Sequence, residues 1–433
     1  MDPTGAPREA LASFYRDHLE HDVLPFWLSR AVDHEHGGVF TCIENATGRR
    51  VSDDKFVWSQ ARWAWTMAHA SRLAERGVLR LDAEPLREHA RRTADFLLEH
   101  AFLDSGAVAY LLAADGSKKE FVRGKGHDLS FFADGFVILG LTGVARASRE
   151  SAYLERAITA YDGLRERLAR GDVRSEPYPL PPGCRAHAWP MIMLNVAQEL
   201  ERATVAIGHP RADGFATDAV AYMDDVLDGY VRDDGLIQEV RCDRSVADGE
   251  GSLLTRHVTP GHAIESMWFV LEEAVRHQRS DAVATAARVI AASFDAGWDR
   301  EHGGLFRYVV PGASGPRPEG PANDAFQRLI VDTWDTKIWW PHSEALYATL
   351  LASDVTGDAE MRRLHDVVHA YTFATFPNPD GAVGEWIQIR DRRGRPLDKV
   401  VGLPVKDPYH LTRNLLLLVE LLHDGLASRT TLS

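Results

Sequence analysis

The stretches "DHEHGGVF" at residues 33–40 and "DREHGGLF" at 299–306 agree at six of eight positions. His34, His36 and His302, each beside carboxylates, invite a metal reading. However, His34 and His36 are two apart in a turn-forming Asp…Gly-Gly context, not on one helix face. Related stretches recur between helical segments: "LDSGAVAY" at 103, "DDGLIQEV" at 233, "DGAVGEWI" at 380 and, more weakly, "GDVRSE" at 171. Each has Asp and Gly ahead of a short strand-like run. The recurrence is therefore an internal repeat with a period of roughly 70 residues, and such units bury their apolar faces against one another.

Apolar residues recur at helical spacing in about twelve segments, near 8–31, 56–77, 84–102, 130–148, 151–170, 188–205, 216–231, 261–278, 281–298, 335–353, 359–376 and 407–425. Links after even-numbered segments are short, and links after odd-numbered ones run to roughly 17 to 36 residues, a length usually tied to function. Twelve helices in six hairpins predict an all-α fold, an (α/α)6 barrel. Short β-hairpins fill its long loops at one end, and 1–433 forms a single catalytic domain. Antiparallel pairing puts the N-termini of the even-numbered helices at the end where the long loops lie.

Bulk composition narrows the function. The net charge of −14 over 433 residues argues against a nucleic-acid partner. No run approaches the ~18 apolar residues of a membrane span, and the charged N-terminus lacks the apolar core of a secretory signal. Cys42, Cys184 and Cys242 have no ligand-like spacing. They predict free buried thiols in a reducing, cytoplasmic setting.

Chemistry-bearing residues gather at the starts of the even-numbered helices. "KFVWSQARWAW" (55–65) brings Lys55, Trp58 and Arg62; the fourth segment brings Asp134. "TRHVTPGHAIESMW" (255–268) brings Arg256, His262 and Glu265, the last two at i and i+3 and able to touch. "DTKIWWPHSEAL" (335–346) brings Trp339, Trp340, His342 and Glu344, and "VKDPYHLTRN" (405–414) brings His410 and Arg413. Singly, each has a structural reading. Together they suit a polyhydroxylated ligand: indole faces cover a sugar ring while guanidinium and carboxylate groups read its hydroxyls. Glu265, Glu344 and Asp134 keep a two-carboxylate glycoside hydrolase open. His262 and His410, on different helices, suit proton removal from a carbon and its return on the other face.

At these residues the chain resembles the N-acylglucosamine 2-epimerase family, which takes in renin-binding protein, cellobiose 2-epimerases and mannose isomerases. The resemblance rests on "FWLSRAVDHEHGGVFTC", "KFVWSQARWAW", "PMIMLN", "PGHAIESMWF", "GWDREHGGLF", "KIWWPHSEA" and "KDPYHLTR". It implies an (α/α)6 barrel and epimerisation or isomerisation at C2 of a free reducing sugar through a cis-enediol(ate). It implies that His262 and His410 are the acid/base pair, with Glu265 as the carboxylate partner of His262. Arg62 and Arg256 would hold the substrate oxygens, and Trp58, Trp339 and Trp340 would form pocket walls. No cofactor or metal is expected, the partner is a small carbohydrate, and a homodimer is compatible.

The best reading is interconversion of N-acetylglucosamine and N-acetylmannosamine. An aldose–ketose isomerase is the alternative, and a non-catalytic binding protein a further one. Where cellobiose epimerases and isomerases carry an Asn…His pair, "AHAWPMIMLNVAQEL" (186–200) has Met191 and Met193, with His187 upstream as the nearest substitute. Arg123, Lys125 and His127 either meet a charged substituent or form a solvated rim.

Overall fold

The computed structural model describes residues 7–243, 252–312, 317–318, 322, 324–399 and 404–426. Six inner helices form a ring: α3 (Val57–Glu75), α5 (Phe131–Ser148), α7 (Ala188–Ile207), α10 (Pro260–Arg276), α13 (Trp339–Thr356) and α15 (His410–Asp424). Each packs on the next, and α15 packs on α3 to close the barrel. Outside lie α1 (Arg8–His18) with α2 (Leu24–Arg30), α4 (Ala83–His100), α6 (Ser151–Arg170), α8 (Ala212–Tyr230), α11 (Ser280–Gly297) and α14 (Ala359–Thr375). The expected all-α (α/α)6 architecture holds.

Helix composition decides the layer. α4 buries one stripe, Leu86, Ala90, Thr93, Ala94 and Leu97, and turns charged residues outward. α5 is buried almost all round and is apolar enough over its 18 residues to pass for a membrane span, yet α3, α6 and α7 cover it. Its glycines permit a close approach to α3: a Cβ on Gly140 would lie 2.6 Å from the Ala61 carbonyl oxygen. Asp82 and Asp358 cap α4 and α14 through hydrogen bonds to Glu84 and Glu360 N–H groups, each worth about 1 kcal/mol.

The long loops share one device. The segment entering each inner helix pairs with the segment leaving the outer helix of the same or neighbouring hairpin. β1 (Lys55–Phe56) pairs with β2 (Leu111–Leu112), which continues to β3 (Lys118–Lys119). β4 (Cys184–Ala186) pairs with β5 (Val240–Cys242), and β6 (Lys337–Ile338) with β7 (Ile389–Arg390). Single bridges Ser130–Ser175 and Val258–Val309 serve α5 and α10. Ahead of α15, the Lys406 N–H donates to the Thr41 carbonyl.

The repeated octapeptides are turns within this device. Asp33 Oδ1 accepts from Glu35 and His36 N–H groups, and Asp299 Oδ1 from Glu301 and His302. Gly37, Gly38, Gly303 and Gly304 all have φ between 74 and 85°, a region costly for side chains. A buried lysine locks each copy: Lys55 Nζ lies 2.7 Å from Asp33 Oδ2, and Lys337 Nζ 3.2 Å from Asp299 Oδ2. His34 and His36 are exposed.

Three features depart from expectation. The first helix is interrupted by a π turn, Leu19–Val23, and two short helices, α9 (Leu253–Arg256) and α12 (Ala325–Thr333), stand in the long loops. The expectation of free thiols fails: Cys184 and Cys242 form a disulfide, placed opposite one another by the β4–β5 register. Their separation of 58 residues hid the pairing. Cys42 is a buried free thiol, and burial pushes it up to about 12.

Candidate active site

At the loop end, the inner-helix N-termini surround a cavity of about 350 Å³. Trp58 and Arg62 reach it from α3, Phe136 from α5, Met191 and Ile192 from α7, His262 and Glu265 from α10, Trp339 and Trp340 from α13, and His410 and Arg413 from α15. α12 and the loop containing Tyr178 form an outer wall.

Two imidazole–carboxylate pairs face this space. His262 Nδ1 lies 2.7 Å from Glu239 Oε1, and His410 Nδ1 lies 2.7 Å from Glu344 Oε1. Each carboxylate takes the Nδ1 side, which leaves Nε2 for the cavity. Trp340 sits between the two rings, stacked on His262 at 5.1 Å and tilted to His410 at 5.7 Å. Burial opposes a charge on His262, but Glu239, by charge and hydrogen bond, raises its pKa above 6.5. Glu239 is correspondingly held at about 2: burial pushes it up, and His262 more than reverses this. His410 differs in its Nε2 neighbour, Arg62 Nη2 at 3.4 Å. A guanidinium only donates, so this contact calls for a lone pair on Nε2 and a neutral imidazole with its proton turned to Glu344.

Arg62 is held rigidly. Its guanidinium lies 3.9 Å from the Phe136 ring centroid, with Trp58 and Tyr409 at 5.5 and 5.2 Å. Asp407 Oδ1 is 3.4 Å from Arg62 Nη1. The other Asp407 oxygen accepts from the Trp339 indole at 3.1 Å and the His410 N–H at 2.9 Å. Arg413 Nη2 lies 2.6 Å from both Glu265 Oε1 and Glu344 Oε1. Glu265, Glu344 and His410 bring ligand-type atoms within 4.8 Å of one another, but the Arg413 guanidinium already bridges the two carboxylates and supplies the positive charge there.

Of the residues expected in the site, Trp58, Arg62, His262, Glu265, Trp339, Trp340, His410 and Arg413 line the cavity. Five do not. Lys55 is buried on Asp33 and the Gly37 and Ala114 carbonyls. Asp134 is buried against Arg167 and the Val108 N–H, and burial raises it to about 6. His342 accepts from the Leu305 N–H and donates to the Ile338 carbonyl, locking the second octapeptide. Glu344 stands behind His410. Arg256, in α9, is outside the lining, and the guanidinium on that side is that of Arg307.

Glu265 is also reassigned: it pairs with Arg413, and the partner of His262 is Glu239. The i,i+3 spacing brings two positions near each other without fixing where the side chains point. Glu239, Arg307 and Asp407 went unrecognised, although Glu239 lies within "DDGLIQEV", Asp407 lies within "VKDPYHLTRN" and Arg307 directly follows "DREHGGLF". His187 is fully buried, bonded to Ser266 Oγ at 3.0 Å and lowered to about 4 by burial. Arg123 and Lys125 are exposed and off the cavity, in agreement with a solvated rim.

The sequence model for N-acylglucosamine 2-epimerase (GlcNAc 2-epimerase) matches residues 37–413. The N-acylglucosamine 2-epimerase of Bos taurus is 30% identical over 413 residues, covering 94% of this chain and 90% of that protein. The cellobiose 2-epimerase of Spirochaeta thermophila superposes with a TM-score of 0.73 at 19% identity, covering 96% of this chain and 97% of the other. A D-mannose isomerase superposes with a TM-score of 0.72 at 17% identity, covering 95% and 98%. The chain therefore belongs to the N-acylglucosamine 2-epimerase family and is a carbohydrate epimerase.

Proposed function

We propose that the chain interconverts N-acetylglucosamine and N-acetylmannosamine by two-base proton transfer at C2. The observation that carries this reading is the pair of imidazoles, each backed by its own carboxylate, on either side of Trp340. In the open-chain sugar the C1 carbonyl acidifies the C2 proton. His410, with a lone pair on Nε2, removes it; His262, whose charged form Glu239 favours, returns a proton to the opposite face. In the reverse direction the roles exchange. Between the steps, negative charge spreads over a planar enolate, with oxygen on C1 and the acylamino nitrogen on C2, and Arg62 is preorganised to meet it. Such preorganised donors are commonly worth about 3 kcal/mol of barrier.

The relatives at about 30% identity support the 2-acylamino sugar, as does the apolar surface of Met191 and Ile192. The isomerase alternative drew on His187, which is turned away from the cavity. The test is incubation with N-acetylglucosamine in D2O, followed by NMR. The expected result is deuterium at C2 together with the 2-epimer. No exchange at C2 of N-acetylglucosamine, with or without a ketose formed from mannose in a parallel incubation, would overturn the reading.

A further inference from the structure

The cavity has two chemically different halves. Its charged groups come from α3, α10, α15, the segments carrying Glu239, Arg307 and Asp407, and Glu176 in the loop after α6. Facing them, α5 and α7 present Phe132, Phe136, Ala188, Trp189, Met191 and Ile192. Only the Trp189 indole N–H among these side chains can make a hydrogen bond. The apolar surface continues outward through Leu180 and Tyr178 to Phe326 and Leu329 of α12. The Tyr178 and Phe326 rings are 5.9 Å apart and inclined by 27°, so the loop after α6 and α12 meet through stacked rings, with Ser175 and Glu176 of the same loop as the polar groups beside them.

An open-chain aldose has little to set against this wall. C1 and C2 must lie near His262, His410 and Arg62, and C3 to C6 each carry a hydroxyl that would be left unpaired on it. In a 2-acylamino sugar, only the alkyl part of the acyl group matches it. A single acetyl methyl covers a small part of a surface that runs from Met191 to Leu329.

We propose that this half is an acyl subsite, and that the enzyme accepts glucosamines whose N-acyl chain is longer than acetyl with a higher kcat/KM. The proposal rests on the 2-acylamino sugar reading above and extends it. Each methylene that the wall takes out of water contributes about 0.8 kcal/mol, close to fourfold. N-butanoylglucosamine, with two more methylenes than N-acetylglucosamine, is expected to show kcat/KM roughly tenfold higher.

The experiment measures kcat/KM for C2 epimerisation of N-acetyl-, N-propanoyl- and N-butanoylglucosamine by the wild type and by Leu329→Ser. The expected result is a rise with chain length that flattens in the variant. Turnover of N-acetylglucosamine with rates level or falling along the series would overturn the acyl subsite and leave the proposed function standing. A rise that is equally steep in Leu329→Ser would also overturn it. Faster turnover of cellobiose than of any acylamino sugar would put a second sugar ring against the wall and overturn it. Failure of every 2-acylamino sugar would overturn the parent reading instead.

Discussion

Replacing Glu239 by Gln removes one charge from beneath His262 and little else, because the amide oxygen still accepts from Nδ1–H. The wild-type pair holds Glu239 at about 2 instead of 4.5. That is about 2.5 units, or roughly 3 kcal/mol in favour of the ionised form at 1.36 kcal/mol per unit. A charge-assisted hydrogen bond is about twice as strong as a neutral one, so about half of this is lost in the variant. The expected fall in kcat is roughly ten- to hundredfold. The pH dependence gives the sharper readout. His262 is raised above 6.5 by Glu239, so its pKa falls in Glu239→Gln. In the direction where His262 donates, activity is lost as pH rises through that pKa, and the alkaline limb moves to lower pH. In the opposite direction His262 must be neutral, and the acid limb moves to lower pH as well. The assay is kcat against pH from N-acetylglucosamine and from N-acetylmannosamine, on protein whose melting temperature is checked. A kcat within twofold of wild type with both limbs unmoved would refute the assignment of Glu239.

Three further outcomes follow from the same structure. Lys55→Met leaves Asp33 buried without its cation, at a cost of about 3–5 kcal/mol. A lowered melting temperature with unchanged KM is expected, and a raised KM at normal stability would return Lys55 to the binding site. Burial lowers His187 to about 4 and His342 and His365 to about 3, from 6.5. Their stabilisation is therefore present above pH 6.5 and lost as pH falls toward 4, at up to about 4 kcal/mol per pH unit for three protons. His262, raised, works the other way and loses its contribution above 6.5; urea unfolding with equal midpoints at pH 7 and pH 5 would contradict this balance. Reducing the Cys184–Cys242 bond, whose span is 58 residues, frees a loop worth up to about 4 kcal/mol. A lower melting temperature in reductant is expected, and an unchanged one in both reductant and Cys184→Ser would contradict it.

The fold was legible because the repeat constrains it twice. Asp…Gly turns mark where long loops begin, and alternating loop lengths decide which helices pair. The bounds of twelve helical segments then follow from apolar periodicity to within a few residues. α12 escaped although "AFQRLIVDT" (325–333) is amphipathic, because it belongs to one unit of the repeat and no sister segment drew attention to it. The disulfide escaped for a related reason: β4 and β5 are short and far apart in sequence, and only the closed ring sets their register.

The site was legible in place and only partly in wiring. A period puts Trp, Arg and His at equivalent helix starts, and the N-termini of the inner helices meet at one mouth. Helix N-termini carry partial positive charge, so this end of the barrel suits an anionic intermediate whichever residues stand there. Lys55, His342 and Lys337 show the limit of that inference. They occupy the same helix starts, yet serve turns that must be locked before any pocket exists. From sequence, a buried lysine on a turn aspartate and a lysine on a substrate are indistinguishable. What separates them is the partner: Asp33 and Asp299 are consumed by their own turns, whereas Glu239 and Glu344 end on imidazoles that open to the cavity. The candidate acid/base residues are thus defined less by where they start than by which carboxylate stands behind them, and those carboxylates come from the residue just before β5 and from a neighbouring helix, which no local spacing rule connects.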